Sequence, residues 1–197
     1  MIKIFKYILL VTLSVMFLFP FFWMVVSSFK PTSEVLAIPV NILPKNWQLD
    51  AYTNLLNYSE YDFSRYFFNS IIVTFFAVLL AVILCTTAGY GFAKYKFKYN
   101  NLYFIIVLST IMIPFQAIVV PLFILMKNLG LQNSYLGLII PESLTAFGVF
   151  LMRQFFYSVP DEIIESARID GASEFRIFWN IAVPMAKTAI FALIIFQ

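Results

Sequence analysis

The sequence predicts an all-α fold, a polytopic transmembrane helix bundle with about five spans begun in the chain, and three observations carry that prediction. The first is composition. Of 197 residues, 62% are hydrophobic, 19% aromatic and only 12% charged, against roughly 25% charged in a soluble domain. In water, such a chain would expose apolar patches large enough to drive aggregation. The second is a set of runs with at most one charge, comparable to or longer than the ~20 residues a helix needs to cross hydrocarbon. The third is the clustering of lysines at alternate connections between those runs.

The runs follow in order. Tyr7 to Phe29 has 23 residues without a charge, ~34 Å as a helix. It is longer than a signal-peptide core and no small-residue cleavage site follows it, so it reads as a retained anchor. Pro20 falls mid-run, where a kink is tolerated if neighbours satisfy the freed carbonyl. Tyr66–Ala93 and Tyr99–Met126 each hold 28 residues without a charge, enough to span with tilt. Pro114 and Pro121 divide the second of these. Leu131–Met152 carries one charge, Glu142, directly after Pro141. A fifth apolar run opens at Thr188 and is still running ten residues later at Gln197. Ten residues do not cross a bilayer, so residues 1–197 are expected to form one transmembrane domain that is incomplete at its C-terminus.

Charges in the connections orient the spans. Lys3 and Lys6 precede the first, and Lys94, Lys96 and Lys98 join the second to the third with no acid between them. The segment 30–65 instead mixes Lys30, Lys45 and Arg65 with Glu34, Asp50, Glu60 and Asp62. The positive-inside tendency then places the N-terminus and the segment 153–187 in the cytoplasm and 30–65 outside. Pro31, Pro39, Pro44, Trp47, Tyr52 and Leu55–Leu56 suggest that the outer segment is a partly ordered cap. It is too short for an enzymatic domain of its own.

Absences exclude function classes. With no histidine, imidazole proton shuttles, Ser-His triads and imidazole metal sites are ruled out. The single cysteine, Cys85, forms no internal disulfide and no thiolate cluster; inside an apolar run it reads as a small buried thiol. A net charge of +3, dispersed along the chain, does not suit nucleic acid. No GxxxxGK[ST] phosphate loop is present among the six scattered glycines.

The stretch Ser158 to Pro184 differs from its surroundings by mixing charged and apolar residues at helical spacing. Ser158 with Asp161 resembles a capping box. Asp161 and Glu162 in the first turn and Arg168 near the last match the helix dipole. Ile163, Ile164 and Ala167 share a face. Asp170–Gly171 breaks the helix, with glycine supplying a positive φ. Ser173 caps a second helix whose apolar face is Phe175, Phe178, Trp179, Ile181 and Ala182. Such a helix-turn-helix either lies along the membrane face or docks into a partner's groove; the residues alone leave both open.

Glu165-Ser166-Ala167-Arg168-Ile169-Asp170-Gly171-Ala172, followed by Phe178, Ile181 and Pro184, resembles the EAA loop of binding-protein-dependent ABC importer permeases, and its centre resembles the sugar-importing branch. Ser166 departs from the usual alanine but stays small. Ser27-Ser28-Phe29-Lys30-Pro31-Thr32, Asn69-Ser70, Tyr90-Gly91-Phe92-Ala93 and Phe150 to Phe156 are similar to the same branch, so the resemblance covers nearly the whole chain. It implies six spans in the full-length protein and a location in the prokaryotic inner membrane. It implies a cytoplasmic coupling loop over 153–187. The implied partners are a second homologous permease, two cytoplasmic ATPase subunits and an extracellular or periplasmic solute-binding protein. ATP and magnesium would be bound by the ATPase, leaving no cofactor and no enzymatic activity in this chain. Glu165, Ser166, Ala167, Asp170, Gly171 and Ala172 are the implied coupling residues. Glu165 would pair with a basic group, Ala167 would permit close approach and Gly171 would set the turn.

For the solute path, Glu142 is the one charge inside a span, where ionisable groups are functional by default; a position near the outer mouth, reachable by water, is the competing explanation. Gln116 and Tyr135, with Phe115, Asn133 and Ser143, are further polar or aromatic candidates. An ion-coupled carrier is the alternative class, but it would have only Glu142 available in mid-span. A non-sugar cargo is the alternative within the resembled family.

Overall fold

The computed structural model describes residues 2–57 and 62–197; Met1 and 58–61, and with them Glu60, lie outside the described residues. The described residues form helices α1 (Ile2–Ser27), α2 (Thr32–Val35), α3 (Asp50–Asn57), α4 (Phe63–Lys94), α5 (Asn100–Ser109), α6 (Phe115–Asn128), α7 (Tyr135–Glu142), α8 (Ala146–Tyr157), α9 (Asp161–Ile169), α10 (Glu174–Ile177), α11 (Val183–Met185) and α12 (Lys187–Phe196). A 3-10 turn, Thr110–Met112, ends α5, and a π turn, Phe178–Ala182, joins α10 to α11. No strand occurs among them, in line with the all-α class. The chain divides into two compact units, Met1–Phe68 and Asn69–Gln197.

In the first unit, α1 runs unbroken through Pro20 with nearly every side chain exposed, as suits a helix whose solvent is lipid. The segment after it is ordered by its own contacts. The Lys30 ammonium donates to the Asn41 carbonyl at 2.6 Å and lies over the Trp23 ring. The Phe29 ring packs on Trp47 and Tyr52. Glu34 accepts the Lys45 amide. Asp62 takes the Arg65 amide at the start of α4, satisfying one of the free donors of a helix N-terminus.

In the second unit, α4 carries on the helix begun at Phe63 as a single element of 32 residues. The other apolar runs are bent. The uncharged run Tyr99–Met126 reads as one span; instead α5 and α6 meet at 102°. Pro114 has no N–H to continue the helix and holds Ile113 extended at ψ 113°, the usual effect of proline on the residue before it. Pro121 stays inside α6 without ending it. Likewise Leu131–Met152 is not one helix: α7 and α8 meet at 44°, because Thr145 leaves the helical backbone to cap α8 through the Gly148 amide. The last pair bends by 74° ahead of α12. Two helices are therefore long and apolar enough to cross a membrane individually, or up to five spans if each bent pair counts as one.

The core of this unit gathers Cys85, Tyr90, Phe104, Met152, Phe156, Ile177 and Leu193. Two glycines make it possible. A Cβ on Gly89 would fall 2.5 Å from that of Met152, and one on Gly148 would fall 2.7 Å from the Cys85 sulfur. Helices α4 and α8 can therefore touch backbone to backbone. Cys85 is fully buried, as expected.

Candidate functional site

The hairpin α9–α10 has one inward and one outward face. Ile164 and Ala167 are buried from α9 and Ile177 from α10, whereas Glu165, Ser166, Ile169, Asp170 and Gly171 are exposed. Ala167 therefore packs toward the core rather than toward an outside partner, and Ile163 is more exposed than the shared face anticipated. A spacing of three residues carries Ile164 and Ala167 round to the same side, while Ile163 sits ~100° away from Ile164. Of the second helix's apolar face, Phe178 and Ala182 are buried, but Phe175 and Trp179 face outward.

The turn is closed by backbone bonds. Ala172 N–H donates to Ala167 and Gly171 N–H to Arg168, the double bond pattern of a helix ending in a left-handed residue. Gly171 holds φ +80°, and none of the described residues lies within 4 Å of where its Cβ would be, so the position is open outward. Ser173 caps α10 by accepting the Arg176 amide. Ser158 makes no capping box: its hydroxyl donates to Phe155 at the end of α8, and Pro160 occupies the N-cap of α9.

Asp161 is engaged elsewhere. The Lys94 ammonium, on a side chain only 4% exposed, meets its carboxylate at 2.5 Å and donates to the Val159 carbonyl at 2.6 Å. On the other arm, Arg168 grips Glu174 through Nε at 2.6 Å and Nη2 at 3.1 Å, and the Tyr95 hydroxyl donates to the same carboxylate at 2.7 Å. These contacts hold the carboxyls of Asp161 and Glu174 below the usual range, through Lys94 for the first and through Arg168 and then Tyr95 for the second. Desolvation first, and then the Glu174 carboxylate, push the Tyr95 phenol up to about 12. Arg153 is a buried cation nearby, over the Phe104 ring at 3.7 Å, donating to Asn101, Tyr157 and the Phe92 carbonyl. From the sequence, Lys94 has only an orienting role and Tyr95 is not singled out. Their sole signal was position, just past the end of an uncharged run.

An open cleft of about 860 Å³ lies toward the other end of α4. Asn69, Ser70 and Thr74 line it from α4, Phe115 and Phe123 from α6, and Tyr135 and Glu142 from α7. The Tyr135 hydroxyl donates to Asn69 Oδ1 at 2.6 Å, and the Glu142 carbonyl accepts from the Gln197 amide at 2.7 Å. Phe115, Asn133, Tyr135 and Glu142 are thus brought together. Gln116 is not among the lining residues and is exposed; one helical step from Phe115 turns it to another face. Ser143 is buried, with its hydroxyl donating to Ile140. Among the described residues no cluster fit to hold a metal ion occurs.

Residues 81–197 match the family described as binding-protein-dependent transport system inner membrane component. The arabinooligosaccharides transport system permease protein AraQ of Bacillus subtilis (strain 168) is 40% identical over 187 residues, covering 94% of this chain and 66% of that protein. The diacetylchitobiose uptake system permease protein NgcG of Streptomyces coelicolor (strain ATCC BAA-471 / A3(2) / M145) is 35% identical over 191 residues, covering 96% and 62%. The chain thus spans just under two thirds of the length of these curated relatives. A chain in the crystal structure of a bacterial ABC transporter involved in the import of the acidic polysaccharide alginate superposes with a TM-score of 0.87 at 27% identity, over 99% of this chain and 68% of that one.

Proposed function

The chain belongs to the inner membrane components of binding-protein-dependent transport systems, and on that premise we propose that it is the membrane-spanning permease subunit of an ATP-driven importer of saccharides. The observation that carries the reading is the two-faced hairpin. Its inward residues Ile164, Ala167 and Ile177 fix it to the bundle, and its outward rim of Glu165, Ser166, Asp170 and Gly171 is left free to meet another protein. In this reading the rim sits in a cleft of a cytoplasmic ATPase. Glu165 pairs with a basic group there, Gly171 makes the turn at which the chain can approach closely, and Ala172 supports the turn from its partly buried place. Ala167 contributes by seating α9 on the core.

ATP and magnesium belong to the ATPase pair. A second homologous permease completes the path, and a solute-binding protein delivers cargo from outside. The N-terminus is cytoplasmic, so that the lysines at 94, 96 and 98 and the hairpin share the inner side. The saccharide reading is supported by the names of AraQ and NgcG and by the cleft, whose aromatic walls and scattered hydroxyl and amide groups suit a sugar ring.

The full-length protein, purified from native membranes, is expected to bring down an ATPase and a second permease. In liposomes loaded with ATP and supplied with the binding protein, that complex should accumulate a labelled arabinooligosaccharide or chitobiose. Accumulation by this protein alone would overturn the subunit reading. A cysteine at Val40 should react with an impermeant maleimide from outside intact cells and one at Lys96 should not; the reverse would overturn the orientation.

A further inference from the structure

Helix α4 touches both working regions of the second unit. Its Asn69, Thr74 and Ala77 line the cleft, and Lys94 at its far end is bonded to the start of α9. The next residue, Tyr95, is bonded to Glu174 at the start of α10, which in turn grips Arg168 in the last turn of α9. Two consecutive residues therefore hold α9 at both ends, one directly and one through an ion pair. The grip is well anchored: Gly89 brings α4 against the α8 backbone, and Arg153 and Asn100 satisfy the carbonyl of Phe92 in the last turn of α4. From Thr74 to Lys94 is 20 residues, ~30 Å of helix. α12 also reaches the cleft, through Gln197, but it is bent 74° from the helix before it. Among the described residues, α4 is the one unbroken helix joining the two regions.

We infer that α4 is the rod that carries movement of the hairpin to the wall of the cleft, with Lys94 and Tyr95 as the positioning residues that join hairpin to rod. The inference rests on the coupling reading above. An unbroken helix seated against α8 at Cys85 and Gly89 shifts there as a body, because close-packed interiors transmit strain. A hairpin tied to it at both ends of α9 cannot rock without displacing it. A hairpin tied at one end could pivot and leave the cleft where it was. The ammonium of Lys94 fits the task because one buried cation satisfies a carbonyl and a carboxylate together, and such charge-assisted bonds are about twice as strong as neutral ones.

The test uses the full-length protein assembled with its second permease and ATPase in nanodiscs. Thr74→Cys is the reporter in the cleft wall and N-ethylmaleimide the probe; Cys85, fully buried, leaves the parent chain as the blank. With Lys94 and Tyr95 intact, trapping the ATPase with ATP and vanadate should change the Thr74→Cys labelling rate severalfold. Adding Lys94→Met should shrink that change at least threefold while the co-purified ATPase stays within twofold. Tyr95→Phe, which removes a single hydroxyl, should act in the same direction more weakly. Lys94→Arg, which can still meet a carbonyl and a carboxylate, should restore most of it. A full-sized nucleotide response in both Lys94→Met and Tyr95→Phe would overturn the inference, and so would loss of the ATPase from both, since the grip would then only present the hairpin. A wild-type chain that retains no ATPase would remove the coupling reading and this inference with it.

Discussion

The hairpin and the cleft sit toward opposite ends of α4 and are held in different ways. In the hairpin, Lys94, Tyr95, Arg168 and Glu174 form a closed set of bonds around α9, with donors and acceptors paired across three helices. The cleft is crossed by little more than the Tyr135–Asn69 bond and the Gln197–Glu142 bond, and its other walls are apolar side chains with a few polar ones such as Ser70, Thr74 and Asn133 between them. A region tied at both ends of its helix keeps one shape and passes movement on. A region with few cross-links can change its width at small cost, which a passage for solutes needs.

The largest expected effect bears on the rigid side. Gly171→Leu places a bulky residue at φ +80°, which costs a non-glycine residue about 1–2 kcal/mol. None of the described residues lies within 4 Å of the new Cβ, so abundance in the membrane should change little. Solute-stimulated ATP hydrolysis should drop by about tenfold or more, the equivalent of ~1.4 kcal/mol, because the outward turn no longer fits a partner. Gly171→Ala carries the strain without the bulk and should lose much less. Equal losses in both, read by hydrolysis rate against membrane abundance, would place the damage in the fold and blur the contrast with the cleft.

Next in size is Glu165→Lys. The exposed carboxylate has no partner among the described residues, so thermal stability should stay within about 0.5 kcal/mol, as for most surface changes. ATPase retention should fall several-fold, because a reversed charge at a docked pair adds repulsion, and reversing the facing basic residue should recover it. Retention unchanged in co-purification would remove Glu165 from the rim. A smaller effect belongs to the open side: Glu142→Gln should shift the concentration dependence of uptake by a few-fold while leaving ATPase retention untouched. An effect on retention instead would mean that the two regions are not separable.

The smallest effect is on pH. Asp161 and Glu174 titrate below their ordinary values in the folded chain. The contribution of their contacts is therefore present above the unfolded carboxylate range, about pH 4, and fades as pH falls through the lowered folded values. Both carboxylates are largely exposed, so solvent screening keeps the contribution small. Amide exchange across 161–176, corrected for intrinsic rate, should show full protection at pH 7 and a partial loss near pH 3, with the core amides of α4 unchanged. Equal loss in both would show that the hairpin opens only with the bundle.

What could be read from the sequence was local. Gly171 and Ser173 were legible because a positive φ and an N-cap are set by the residues themselves, and the uncharged runs were legible because lipid tolerates nothing else over that length. What escaped was set at a distance. Ser158 looked like a cap for α9, but Pro160 intervened and Asp161 went to Lys94, a partner 67 residues away. Ala167 belonged to the motif on the rim, yet the turn of the helix sends it inward. Gln116 and Phe115 were equally plausible in the cleft until the bend at Pro114 fixed which face α6 presents. That bend was foreshadowed by a proline, but its angle depends on packing that no local pattern encodes.

The break at Pro114 also bears on how the protein enters its membrane. Alone, α5 with its 10 residues reaches ~15 Å and α6 with 14 ~21 Å, both short of the ~30 Å hydrocarbon slab. Pro114 brings no amide to carry the helical ladder forward, and the Thr110 carbonyl takes the Ile113 amide at 3.2 Å instead; lipid offers no donor to a carbonyl left unmatched at such a break. Helix α4, continuous and apolar, can partition from the translocation machinery into the bilayer on its own. The α5–α6 pair needs protein around its break, and Phe104 of α5 finds it in the Phe92 ring of α4, so the unbroken helix gives the bent one a surface on which to settle.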